Sequence, residues 1–279
     1  MTKYLTPVDL SDPSFASVID EVSLWSARFG IFLLRHLELQ RGIHVLDVGC
    51  GAGFPLFELA HVHGDSCQLT GVDTWAVALG RAEEKRKAYG LHNVRLIEAD
   101  AARLPLPDAH FDLIVSNLGV NNFDDPKAAL AECARVAKPQ ARIVLTTNVK
   151  GHMREFYALY RETLTELGLT RHMDRLTENE DHRATKESLA EQVEESGFQV
   201  ERLIEEPFEM RFVDGKALLQ HALTRFGFLS GWRKVVDPSE EERVFADLEH
   251  RLTQLAFRSG ELRMTIPMLY LEGRRVTTH

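Results

Sequence analysis

The run Val45-Leu46-Asp47-Val48-Gly49-Cys50-Gly51-Ala52-Gly53-Phe54 takes the chain out of a short apolar strand, through three alternating glycines, and into a helix read from Pro55 to His61. Glycine at every second position lets the backbone reach positive φ and lets a ligand approach where a Cβ would otherwise stand. The helix that follows points its unpaired N–H groups back at the turn, which suits an anionic or strongly polar ligand group. A strand, a glycine turn and a helix in that order place the chain among α/β sheets that bind a ligand at a strand's carboxyl end.

Spacing separates two ligand classes. A dinucleotide turn has the pattern G-x-G-x-x-G/A, with the last small residue letting helix and strand pack closely. Here the glycines fall at 49, 51 and 53, and the large Phe54 occupies the place of the last small residue. Asp47, just ahead of the first glycine, would repel a pyrophosphate and welcome an ammonium group. A zwitterionic amino-acid ligand is favoured over a dinucleotide. Asp73, at the end of the next strand, stands where an acid can accept both ribose hydroxyls of an adenosine. It also precedes a helix read over Thr74 to Tyr89, so an N-cap is the alternative role.

With Asp73 closing the second strand, the D-V-G-C-G-A-G run resembles motifs I and II of the class I S-adenosylmethionine-dependent methyltransferases. The likeness extends from about Gly42 to Thr147 and points to the small-molecule group typified by ubiquinone and menaquinone biosynthesis. It implies an α/β fold: a doubly wound, seven-stranded, mostly parallel Rossmann-like sheet with a helical cap. It also implies S-adenosyl-L-methionine as cofactor. Asp47 would then sit near the methionine ammonium, directly or through water, with Gly49, Gly51 and Gly53 admitting the ligand. Asp73 would take the ribose, and Asp100 with Ala101 the adenine. Cys50, Thr74, Asn117 and Leu118 belong to the same cofactor site. For Asp100 the alternative is a turn-forming aspartate.

The strand and helix rhythm continues on either side. Strands are read at Ile43–Val48, Gln68–Val72, Asn93–Glu98, Phe111–Ser116, Ala141–Thr147, Phe198–Ile204 and Met264–Leu271. Between them fall helices Pro126–Lys138, with an aspartate cap and proline in its first turn, and Thr185–Ser196, closed by Gly197. The whole reads as one domain: residues 1–41 as an N-terminal helical cap, 42–148 as the cofactor-binding core, 149–184 and 214–261 as cap inserts, and 185–213 with 262–273 as the end of the sheet. Two helices are expected ahead of the first strand, carrying Phe15, Val18, Ile19, Val22 and Trp25, then Phe29 to Leu34; their aromatics face either the core or the ligand. Both inserts follow parallel strands and so leave the sheet on its ligand edge. Residues 149–182, polar on one side and poor in large apolar residues, read as a weakly packed lid.

Composition narrows the function classes. A net charge of -9 argues against duplex nucleic acid, whose phosphates need clustered Lys and Arg. Cys50, Cys67 and Cys133 show no C-x-x-C spacing, so neither a disulfide framework nor a zinc site is expected, and a reducing cytoplasm fits. No apolar run reaches the roughly 18 residues of a membrane span. His152, His172 and His182 in the first insert match no short metal-ligand motif, and no metal is expected.

The expected chemistry is methyl transfer from S-adenosylmethionine to a small, lipophilic or aromatic acceptor, governed by positioning and exclusion of water. In the family that the chain resembles, many members acting on quinone-like or small acceptors carry a histidine near position 122; Asn117, Asn121 and Asn122 stand in that segment here, and amides do not titrate. No general base is assigned, the candidates being Tyr4, His152, Tyr157 and His172. Two rival readings are a non-catalytic S-adenosylmethionine-binding module and a nicotinamide-dependent oxidoreductase.

Overall fold

The computed structural model of the chain describes residues 3–5, 11, 12 and 25–276. They belong to two compact units, one of Leu10–Thr147, Ala184–Glu205 and Met268–His279, the other of Met1–Asp9, Asn148–Arg183 and Glu206–Pro267. The first helix expected at the N-terminus, with Phe15, Val18, Ile19 and Val22, lies outside the described residues. The second is α1, Ser26–His36, which buries Phe29, Phe32 and Leu33 within the first unit.

A seven-stranded sheet runs in the order β3-β2-β1-β4-β5-β7-β6. Its strands are β1 His44–Val48, β2 Gln68–Asp73, β3 Val94–Glu98, β4 Phe111–Asn117, β5 Ala137–Asn148, β6 Phe198–Phe212 and β7 Leu262–Arg275. The pairs β1–β2, β1–β4, β2–β3 and β4–β5 are parallel. Central parallel strands are covered on both faces and so read as near-continuous apolar runs. β1 shows this, with Val45, Leu46 and Val48 each fully buried. Its partners are β2 on one side and β4 on the other, so the strand order reverses at β1. That reversal is where open α/β sheets bind ligands, and the glycine turn leaves β1 at this point.

The helices of this unit are α2 Leu56–His63, α3 Ala76–Tyr89, α4 Pro126–Val136 and, after residue 184, α7 Lys186–Glu195. Local chemistry sets their ends. Asp125 accepts from the Ala128 N–H to cap α4, and Pro126 fills its first turn. Thr185 and Ser188 form a reciprocal capping box on α7. On the far half of the sheet the buried Arg142 guanidinium donates to the Glu38 carbonyl at 2.8 Å and faces Glu272 at 3.4 Å. Glu272 also receives Arg202 at 2.8 Å and the Tyr270 hydroxyl at 2.9 Å. A buried carboxylate answered in this way satisfies its lone pairs.

The other unit is helical: α5 Arg154–Glu166, α6 Met173–Glu180, α8 Gly215–Gln220, α9 Ala222–Gly227, α10 Leu229–Arg233 and α11 Glu241–Ser259. Its core is aromatic. Trp232 stacks on Phe156 at 3.8 Å and on Phe228 at 5.8 Å, and the Tyr160 hydroxyl donates to the Trp232 carbonyl at 3.0 Å. Residues 149–182 are therefore not the loosely held polar segment that the sequence led us to expect. Met153, Phe156, Tyr157, Tyr160 and Leu164 are all buried, because their spacing puts them on one stripe of α5. In α11 the buried stripe runs through Val244, Leu248, Leu252 and Ala256, an i, i+4 progression, with Phe245 beside it. Among the described residues no helix is long and apolar enough to cross a membrane.

Gly71 on β2 lies directly under the glycine turn. A Cβ there would meet the Leu56 side chain at 2.5 Å and the Cys50 sulfur at 2.8 Å. Gly71→Ala should destabilise the chain by about 1–3 kcal/mol through overpacking, read as a lower denaturant midpoint at unchanged m value.

Candidate functional site

The turn after β1 takes positive φ at all three glycines, 81° at Gly49, 51° at Gly51 and 99° at Gly53. The three serve different ends. A Cβ on Gly49 would stand 3.1 Å from the Gly119 Cα, and one on Gly53 would enter the Phe57 ring at 2.1 Å. At Gly51 nothing lies within 4 Å. Packing demands the outer two, and the middle one faces the open space that a ligand needs. The role of Phe57 was foreshadowed by its place one helical turn beyond Gly53, whereas nothing in the linear sequence signals Gly119.

Asp73 holds this turn from the neighbouring strand. Its Oδ2 accepts the Gly51 N–H at 2.8 Å, and its Oδ1 accepts the Trp75 N–H at 2.8 Å. The N-cap position of α3 is Trp75, so Asp73 makes a turn ahead of the helix and does not cap it. With two backbone donors bound, the carboxylate keeps lone pairs for further hydroxyl donors.

Asp47 is the anomaly of the site. It is wholly buried in β1, and neither carboxylate oxygen has a hydrogen-bond partner. Burial, and then the nearby Asp73 charge, push its pKa up to about 8; the Leu56 N–H opposes the rise without forming a bond of ordinary geometry. Buried carboxylates are otherwise paired or hydrogen-bonded. A ligand ammonium group would supply what is missing. The Cys50 thiol is raised as well, by burial and then by Asp47 and Asp73.

The remaining predicted residues divide. Thr74 and Asp100 are exposed, and Ala101 is buried. Asp100 Oδ1 accepts the Ala102 N–H at 2.9 Å, the geometry of a turn-forming aspartate, which leaves its other oxygen for a ligand donor. Asn117 is committed within the fold: its amide donates to the Ser26 carbonyl at 3.3 Å and accepts the Thr146 hydroxyl at 2.8 Å. Leu118 adopts φ 68°, a left-handed conformation uncommon outside glycine. Its N–H is tied to the Thr146 carbonyl at 2.7 Å and its carbonyl to the Asn122 amide at 3.0 Å.

The four base candidates lie in the helical unit. The Tyr4 hydroxyl donates to the Phe245 carbonyl at 3.4 Å, and burial, then Glu249, drive its pKa upward. The Tyr157 hydroxyl donates to Asn179 Oδ1 at 3.0 Å and accepts the Trp232 indole at 3.3 Å, and burial raises its pKa too. His152 is held at about pKa 3 by burial and then by Arg183, so it is a poor proton acceptor. His172 Nε2 meets Glu240 at 2.7 Å. His172, Asp237 and Glu240 lie close enough to share an ion, yet Arg171 already bonds Glu240 and Arg175 bonds Asp237 at 3.0 Å.

Comparison with known proteins places this geometry. Residues 39–206, more than half of the chain, match the family model described as a methyltransferase domain. The chain belongs to this methyltransferase family. A demethylmenaquinone methyltransferase from Geobacillus stearothermophilus is 35% identical over 128 residues, which are 46% of this chain and 55% of that protein. The chain thus spans little more than half the length of the curated relatives that it matches. A SAM-dependent methyltransferase structure from Aquifex aeolicus is 25% identical, covering 69% of this chain and 92% of that one at a TM-score of 0.54. The [4+2]-cyclase SpnF shares the fold at a TM-score of 0.57 and 20% identity, over 90% of this chain and 82% of that one. The cofactor of the family is S-adenosylmethionine, and the open Gly51, the half-used Asp73 and the unanswered Asp47 fit it.

The state of Asp47 sets a pH dependence. An acid whose folded pKa is raised keeps its proton longer in the folded chain than in the unfolded one. The stability this gives to the ligand-free protein is complete below the ordinary value of 3.8 and is lost as pH rises through about 8. Asp47→Asn should flatten that decline in thermal unfolding and leave the variant at least as stable as the parent at pH 8. An unchanged slope would mean that another group titrates.

Proposed function

We propose that the chain binds S-adenosylmethionine at the glycine turn and transfers its methyl group to a small, lipophilic or aromatic acceptor. The observation that carries the donor assignment is the buried, unpartnered Asp47 beside the open Gly51. Asp47 would receive the amino-acid ammonium, directly or through water. Gly51 lets the backbone come close to the ligand, Asp73 accepts the ribose hydroxyls, and Asp100 with Ala101 lies against the adenine. When bound, S-adenosylmethionine supplies a methyl group on a sulfonium centre that leaves as a neutral thioether. The chain's own part is then to orient the acceptor in line and exclude water. The states of Tyr4, His152, Tyr157 and His172 give none of them a clear claim as a base, which favours an acceptor atom already nucleophilic at neutral pH. The aromatic or lipophilic character of that acceptor is supported by the demethylmenaquinone methyltransferases among the relatives.

The likeness to a cyclase shows why turnover must be measured and not assumed from donor binding. S-adenosylhomocysteine at about 100 times its dissociation constant should add about 2.7 kcal/mol of stability. Thermal unfolding should therefore shift with this compound and not with NAD. Asp73→Ala should weaken its binding at least about tenfold, or roughly 1.4 kcal/mol, in a folded variant. Methyl-labelled donor should pass its label to members of an aromatic acceptor panel. A thermal response to NAD alone would overturn the proposal, and donor binding without label transfer to any acceptor would leave a binding module.

A further inference from the structure

Gly30 sits inside α1 and does not take positive φ, so the conformational freedom of glycine is not used there. Glycine in a helix interior is destabilising relative to alanine, and its presence calls for a packing reason. A Cβ on Gly30 would stand 2.3 Å from Cε1 and 2.4 Å from Cζ of Phe54. The missing side chain leaves a notch in α1, and the edge of the Phe54 ring fills it.

Phe54 follows the third glycine of the ligand turn, where a dinucleotide turn has a small residue. It is 37% exposed, too open to be a core residue, and the notch holds the edge of its ring. The turn is thereby fixed at three points. Asp73 accepts the Gly51 N–H at 2.8 Å, the Phe57 ring packs against Gly53, and α1 receives Phe54. α1 is itself tied to the sheet, since its Ser26 carbonyl accepts the amide of Asn117, the last residue of β4, at 3.3 Å.

The helix does not need the notch for its own docking, because Phe29, Phe32 and Leu33 already bury its apolar side. The turn has more to lose. Phe54 lies three residues beyond the open Gly51, with only the Gly53 N–H to Cys50 carbonyl bond between them and α2 not yet begun. A displaced Phe54 therefore carries the ligand edge of the turn with it.

We propose that Gly30 and Phe54 are positioning residues for the methyl donor: the notch in α1 seats the Phe54 ring and so holds Gly51 in the shape that receives S-adenosylmethionine. This rests on the donor reading above and deepens it. Both residues act through Gly51 and not on the methyl group.

The test is calorimetric titration of the full chain with S-adenosylhomocysteine, beside thermal unfolding without ligand. Gly30→Ala and Phe54→Ala should each weaken binding about tenfold or more, and together they should lose little beyond the worse single change, because both break one contact. Phe54→Leu, too short to fill the notch, should lose less than Phe54→Ala, and Gly30→Ala with Phe54→Leu should regain part of what Gly30→Ala loses. Ile31→Ala, on the exposed side of α1, should bind as the parent does. Helix propensity alone makes Gly30→Ala neutral or stabilising, and a purely structural contact would move the melting temperature without moving affinity in the folded variants. The proposal is overturned if Gly30→Ala and Phe54→Ala bind as the parent does, if their losses add in full, or if affinity merely follows melting temperature across the set. Failure of the parent to bind would instead sink the donor reading itself.

Discussion

Two carboxylates on adjacent strands, one satisfied and one not, determine how the ligand turn is organised. Asp73 spends one oxygen on the Gly51 N–H and the other on the Trp75 N–H, and so pins the open middle of the turn to the end of β2. Asp47, one strand over, has no such donors and feels the Asp73 charge. The first carboxylate gives the turn its shape, and the second gives it an appetite for a cation. Neither effect needs a large movement or a special loop. Both follow from parallel pairing, which sets Asp47 opposite Gly71, two residues before Asp73 closes β2.

Much of this was legible in the sequence because the constraints are local. β1 had to read as an unbroken apolar run once it was central, and the glycine spacing with Phe54 separated an amino-acid ligand from a dinucleotide. Less legible were features produced by pairing. β5 begins at Ala137, ahead of the expected Ala141, because Gln140 turns to φ 66° and is absorbed as an irregularity within the strand while Ala137 pairs with Phe111. Asn117, which read as a ligand amide, is consumed by Ser26, distant in sequence, and by Thr146 on the next strand. The tightness at Gly49 likewise depends on Gly119, far along the chain.

Gly30 illustrates the limit most sharply. In sequence it is one glycine within an apolar run and carries no motif. Only the fold shows that the space beside it belongs to the Phe54 ring. A missing side chain and the ring that needs its room lie apart in the chain and meet only in the packing. The histidines of residues 149–182 drew attention by their type, yet burial disarms His152 and Glu240 engages His172.

The uncompensated Asp47 also bears on how much of the protein persists. A fold that leaves a buried carboxylate unanswered forgoes stability that a simple asparagine or leucine core would keep. The ligand-free form is then the one most often opened and the one most exposed to proteases, while the donor-bound form is held by mass action. Steady-state abundance would thus follow methyl-donor supply, with no regulatory domain and no transcriptional control required.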